Sequence, residues 1–384
     1  MNSPFVNELL NKYKNTMRKS LLIVPFWLLI INLSHAQNKL NLDYEQVIST
    51  IQTPWGIDWL PDGKMLITDR SGKLYSWANG DLEEITGGPE VVAEGQGGLL
   101  DIKVHPKYEE NGWIYFSFSK AMGTNNKGKE LATTAIVRAK LQGNKLVQLA
   151  EVFKAEPAFE TRRHYGSRMV FDNEGYLYFS VGDRGMRDIN PQSLNNHCGK
   201  IHRINDDGSI PDDNPFIKNP VAMPSIYSFG HRNPQGLVYN QNTNTLWEHE
   251  HGPKGGDEVN IIQKGKNYGW PVISYGINYN GTEFTDITKK EGMEQPEIFW
   301  VPSIAPSGMD FVTSNKYPGL QGDLLVGSLS FQYLHRCKVE GGKITDQEEY
   351  FKGIGRVRVI KQAPDGFIYF GVEGKGIMKL ISKD

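Results

Sequence analysis

The sequence predicts an all-β chain folded as a six-bladed β-propeller with four-stranded blades. Two observations carry that expectation: a turn-plus-strand signature that recurs six times, and the absence of strong helical periodicity after the N-terminal 36 residues. The 41 glycines and 20 prolines among 384 residues suit many short strands joined by tight turns. Paired β-sandwiches would give similar strands, but six related hairpins weigh against them.

In chain order the signature occupies residues 61–68, 110–117 and 173–180, weaker copies at 242–247 and 320–327, and a last strong copy at 364–371. Each of the four strong copies sets Asp or Asn and Gly before a short aromatic and aliphatic run, and the two weaker copies keep only part of that turn. Asp-Gly and Asn-Gly accept the positive backbone angles of a tight hairpin, and the apolar run that follows reads as a buried strand. With Asp62, Asn111, Asn173, Asn242, Gly322 and Asp365 as markers, the intervals are 49, 62, 69, 80 and 43 residues. A bare four-stranded blade takes about 40–50 residues, so the longer intervals hold insertions, and the chemically rich segments fall there. Ring closure pairs the strand near residues 44–51 with the last blade near 377–381. The propeller domain is expected over residues 37–384.

The N-terminus reads as a secretory signal spanning residues 1–36. Met17-Arg-Lys-Ser precedes an apolar run from Leu21 to Ile31, and Ser34-His35-Ala36 supplies a small-x-small cleavage site. Residues 1–16 read as an upstream extension of that signal. The run is too short to span a bilayer, and no cysteine follows the cleavage site to carry a lipid. A periplasmic or secreted product is expected, with no integral membrane anchor after cleavage. The whole chain has 42 basic and 44 acidic residues; the signal removes four bases and one acid, leaving a net charge of about −5. With no basic run interleaved with aromatics, nucleic acid is not an expected partner. Cys198 and Cys337 read as buried thiols in preference to one disulfide or two reactive thiols.

The densest chemistry lies in residues 226–260. Arg232 is a fixed guanidinium suited to carboxylates, and the adjacent Asn233 both donates and accepts. Gly252-Pro253 can turn backbone carbonyls toward a hard cation, with Asp257 and Glu258 adding charge, which is calcium chemistry. A propeller gathers equivalent loops at one mouth. Five segments are therefore expected to converge: 95–101, 164–168, 230–235, 251–253 and 355–358. Taken singly, His164 would be an ordinary hydrogen-bonded residue, and Arg356 with Arg358 a solvated strand face. Their occurrence together and in order carries the functional reading.

These segments, Gln96-Gly-Gly-Leu-Leu-Asp101, His164-x-Gly-x-Arg168, Gly230-His-Arg-Asn-Pro-Gln-Gly236 and His251-Gly-Pro-x-Gly-Gly-Asp-Glu258, resemble the soluble quinoprotein sugar dehydrogenases of the glucose/sorbosone dehydrogenase family. The resemblance runs from Thr53-Pro-Trp-Gly56 to the last blade. It implies a six-bladed propeller that holds pyrroloquinoline quinone (PQQ) and Ca2+ at its mouth. It further implies oxidation of the C1 hydroxyl of a small aldose sugar to a lactone, with electrons passed to an external acceptor.

The resemblance makes His164 the base that takes the hydroxyl proton, with Arg232 and Asn233 stabilising charge on the quinone. Gln96, Arg356 and Arg358 become cofactor contacts, and strand alternation puts the two arginines on one face. Gly252 and Pro253 become carbonyl ligands of the cofactor-bound calcium, with Asp257 nearby through water. Glu258 and Tyr268 fall where relatives build a second calcium site. One departure stands out: the fifth-blade segment 326–332 offers Ser330, Phe331 and Gln332 where the family places a lysine against the quinone, leaving Lys254 as a candidate substitute. Two competing readings are a propeller that binds a glycan or protein without catalysis, and a calcium-dependent lactonase. The arginine-asparagine pair and the paired arginines favour a large anionic cofactor over a bare hydrolytic metal.

Overall fold

The computed structural model describes residues 40–383; the expected signal and its extension lie outside them. Six four-stranded antiparallel sheets follow one another along the chain, and each is a blade. The first strands of blades one to six are Pro54–Trp59, Leu99–Val104, Met169–Phe171, Pro234–Asn240, Pro306–Phe311 and Val357–Gln362. All six hairpin markers fall between the first and second strands of a blade, one marker per blade. The ring closes as expected: Leu42–Ile48 pairs antiparallel with Gly376–Ser382, with Tyr44 opposite Leu380.

The second strands Met65–Asp69, Leu177–Val181, Leu324–Ser328 and Ile368–Val372 are buried along their whole length, because they are flanked within the sheet and packed between neighbouring blades. Their apolar side chains interlock from blade to blade: Leu66 with Ile102 and Phe116, and Val326 with Trp247. Each fully buried large side chain contributes about 1.5–3 kcal/mol relative to exposure. Fourth strands are more open to solvent, as in Asp81–Ile85, where only Ile85 is buried. Cys198 and Cys337 are buried free thiols, and burial pushes Cys198 up to about 12.

Arg168 ties blades together near the centre. Its Nε donates to the carbonyl of Gln235 at 3.0 Å, and its Nη1 donates to Asp101 Oδ1 and to the Trp55 carbonyl, both at 3.2 Å. The guanidinium also lies 4.0 Å from the centre of the Trp55 ring. The last residue of the His164-x-Gly-x-Arg168 motif is therefore a structural tie between blades, while the first faces the mouth.

Candidate functional site

His164 sits on the loop that leads into blade three, in the left-handed region at φ 56°, and Ser167 follows at φ 80°. Backbone held in that region by residues other than glycine is strained and accumulates at functional sites. Gln96 Oε1 accepts the His164 backbone N–H at 2.7 Å, which joins the first expected segment to the second. His164 is 8% exposed, and its Nδ1 lies 2.6 Å from Asp183 Oδ1. Asp183 Oδ1 also accepts from the Gly185 N–H, and Oδ2 accepts from Trp270 Nε1 at 2.9 Å. Three donors thus fix the carboxylate, and the carboxylate fixes the ring with its proton on Nδ1. Burial lowers the His164 pKa, and Arg232 adds to that, with the Asp183 hydrogen bond working against them. Asp183 is held low: burial would raise it, but the hydrogen bond and charge of His164 prevail. The imidazole is therefore neutral at neutral pH, with Nε2 as its basic atom.

Arg232 is held from both ends of its side chain. Its backbone N–H donates to Glu250 Oε2, and its Nη1 donates to the carbonyls of His251 and Gly252 at 2.9 Å each. Nη2 reaches Tyr279 Oη at 3.4 Å, and the guanidinium lies over Trp270. Beside it, Asn233 Oδ1 accepts the Gly166 N–H, while its buried Nδ2 has no acceptor among the described residues. His164, Asp183, Arg232, Pro253 and Trp270 line one open cleft of about 380 Å³, whose outer wall is formed by residues 185–189 and by Asn278 and Tyr279.

The loop after Glu250 is braced by Asp257. Its Oδ1 accepts the Gly252 N–H at 2.8 Å, and its Oδ2 accepts from Ser303 Oγ and the Ala305 N–H. Both oxygens are engaged by the protein, and burial pushes the carboxyl up to about 6. A Cβ on Gly252 would fall 2.2 Å from the Gly255 carbonyl oxygen, so only glycine fits this tight carbonyl-lined turn. Carbonyls in a rigid turn with a carboxylate behind them suit a hard cation. Glu258 lies beside Glu250 and Glu248, and burial followed by the Glu250 charge raises it. The Tyr268 phenol donates to the Ile261 carbonyl and accepts the Gln263 N–H, so its hydroxyl is engaged within the fold.

Arg356 and Arg358 do lie on one side of their segment, and both reach the same carboxylate. Arg356 Nε donates to Glu373 Oε2 at 2.7 Å, and Arg358 donates to Glu373 Oε1 through Nε at 2.9 Å and through Nη2. Arg358 Nη1 further reaches Gln235 Oε1 and Ser307 Oγ. Arg358 is buried and lowered to about 10 by that burial, whereas Arg356 is exposed with Nη1 at the Leu329 carbonyl. Neither arginine lines the His164 cleft, and neither do Gln96, Lys254 or Ser330.

Contacts thus link all five expected segments around His164 and Arg232. Asp183, Trp270 and Glu373 were missed from the sequence. A usable signal existed for two of them: Asp183 and Glu373 lie just after the buried second strands of blades three and six.

The glucose/sorbosone dehydrogenase family model matches residues 51–380. The aldose sugar dehydrogenase YliI of Escherichia coli is 39% identical over 360 residues, covering 92% of this chain and 95% of that protein. The apo-form crystal structure of the soluble aldose sugar dehydrogenase from Escherichia coli superposes with a TM-score of 0.83 at 38% identity, covering 89% of this chain and all of the other. A PQQ-bound aldose sugar dehydrogenase from Streptomyces coelicolor gives 0.73 at 27% identity, covering 89% and 98%.

Proposed function

Because this chain belongs to the glucose/sorbosone dehydrogenase family and is an oxidoreductase, we propose that it oxidises the C1 hydroxyl of an aldose to the lactone, using PQQ and Ca2+. The quinone, when bound, accepts the hydride that leaves C1. The observation that carries this reading is the buried His164–Asp183 pair opening beside Arg232 into a sugar-sized cleft.

His164 Nε2 takes the hydroxyl proton while Asp183 stabilises the imidazolium that forms. Arg232 is already immobilised by carbonyls and needs no reorganisation to meet negative charge, and the unpaired Asn233 Nδ2 supplies a second donor. Gln96, Arg356 and Arg358 would complete the hold on the quinone, with Arg356 presenting the more exposed guanidinium. Gly252 and Pro253 would supply carbonyl ligands to the cofactor's calcium, the Gly252 oxygen being shared with Arg232 Nη1 and the turn braced by Asp257. Glu258 and the Tyr268 backbone would serve a second calcium.

An external electron acceptor and a periplasmic or secreted location complete the proposal. Among the described residues no helix is long and apolar enough to cross a membrane. The test is a dye-linked assay of the purified chain with quinone and calcium over a sugar panel. Turnover that His164→Ala lowers by about 10² or more, with quinone binding retained, supports the proposal. Undiminished turnover in that variant removes His164 from the chemistry.

A further inference from the structure

Of the three arginines that line the cleft holding His164, one is left without a partner among the described residues. Arg163 immediately precedes His164, lines the same cleft and is exposed. Its guanidinium has no hydrogen bond or ion pair among the described residues. The other charges of the lining are committed. Arg232 donates to the His251 and Gly252 carbonyls. Arg187 is bidentate on Asp188, at 2.8 and 3.1 Å, and reaches Asn278 as well. Asp183 is taken by His164, Gly185 and Trp270.

Arg163 also lies against the cleft loop at Gly185. A Cβ on Gly185 would fall 2.7 Å from Arg163 Nε, so the glycine leaves room for the guanidinium to lie across the loop that forms the outer wall. An unengaged guanidinium on a cleft wall, one residue from the base, is a receptor for a planar or tetrahedral oxyanion.

We propose that the preferred substrate is an acidic aldose, one carrying a carboxylate or phosphate remote from C1, with Arg163 gripping the anion while His164 works at the C1 hydroxyl. This rests on the aldose-oxidising reading of the site. Its reaction is unchanged: C1 loses a hydride to the quinone, the hydroxyl proton passes to His164, and the anionic group takes no part. Arg163 sets specificity because a neutral sugar leaves its charge without a partner.

The experiment compares kcat/KM of the quinone- and calcium-loaded protein for glucuronate, galacturonate and glucose 6-phosphate against glucose and galactose, in the native chain and in Arg163→Gln. The expected result is at least a tenfold preference for acidic sugars, falling with added salt and collapsing toward unity in Arg163→Gln. The uronate and phosphate arms show which oxyanion is read.

Calorimetric titration of glucuronate into the quinone-free chain gives an independent readout, with binding expected for the native protein and at least tenfold weaker binding for Arg163→Gln. Turnover of neutral sugars at equal or higher efficiency, or a preference that survives Arg163→Gln, overturns the inference and leaves the dehydrogenase reading standing. Absence of turnover on every sugar overturns the dehydrogenase reading. In that case the titration still decides whether Arg163 binds an acidic sugar, and equal or absent binding in both proteins overturns that too.

Discussion

Replacing Asp183 by Asn isolates the contribution of the carboxylate behind His164. The two side chains meet at 2.6 Å, and Asp183 is 1% exposed. When His164 gains a proton, a unit charge forms beside the carboxylate. Two such charges about 4 Å apart attract by about 4 kcal/mol at an effective dielectric of about 20. An amide keeps part of that as a dipole, so a loss of about 3 kcal/mol is expected, or roughly 10² in kcat.

The pH profile supplies the sign. His164 must be neutral to act, burial already lowers its pKa below 6.5, and Asp183 is the group raising it. The native kcat/KM should therefore be flat at neutral pH and fall only on the acid side of 6.5. In Asp183→Asn that acid limb should move to lower pH still. The assay is dye-linked turnover across pH, with quinone affinity and melting temperature measured on the same variant. A folded, quinone-binding Asp183→Asn protein with native kcat, or with its acid limb moved upward, would refute the reasoning.

Three other outcomes follow from the same geometry. Asp257 is raised from 3.8 to about 6 by burial, and Glu258 is also raised. A carboxyl with a raised folded-state pKa stabilises most when protonated, so the calcium-free protein should lose melting temperature as pH climbs from about 4 through 6. Calcium should restore it increasingly over that range; a calcium effect that shrinks with rising pH would contradict this. Glu373→Gln should tighten quinone binding about tenfold by calorimetry, since it removes a carboxylate that occupies both Arg356 and Arg358; weaker binding would mean that Glu373 aims the arginines instead. Gly252→Ala, whose Cβ would fall 2.2 Å from the Gly255 carbonyl oxygen, should cost about 1–3 kcal/mol of stability and displace the carbonyl turn. Denaturant unfolding with and without calcium checks this, and native stability with native calcium response would count against it.

The architecture was legible because each blade repeats one local signal. Asp62-Gly63, Asn173-Glu-Gly175 and Asp365-Gly366 all mark the turn between first and second strands, and the apolar run after each is the buried second strand. The mouth was legible to the extent that its residues cluster in sequence, as Arg232, Asn233, Gly252 and Asp257 do. What escaped depends on pairings across the turns of a single blade and, for Trp270, on a contact from the next blade. Asp183 comes 19 residues after His164, Trp270 lies 87 residues beyond Asp183, and Glu373 answers two arginines from across a hairpin. A carboxylate directly after an apolar second strand looks like a polar strand end until the ring brings that end to the mouth. The pairing also changes the meaning of Arg356 and Arg358: sequence presents two free cations, whereas the fold gives them a shared counter-charge.

The account stands most directly on whether this mouth takes the quinone. Calorimetric titration of the purified chain with PQQ in the presence of calcium should show saturable one-to-one binding, weakened at least tenfold by Arg232→Ala and tightened by Ser330→Lys. No detectable binding to either the native chain or the Ser330→Lys variant would contradict it.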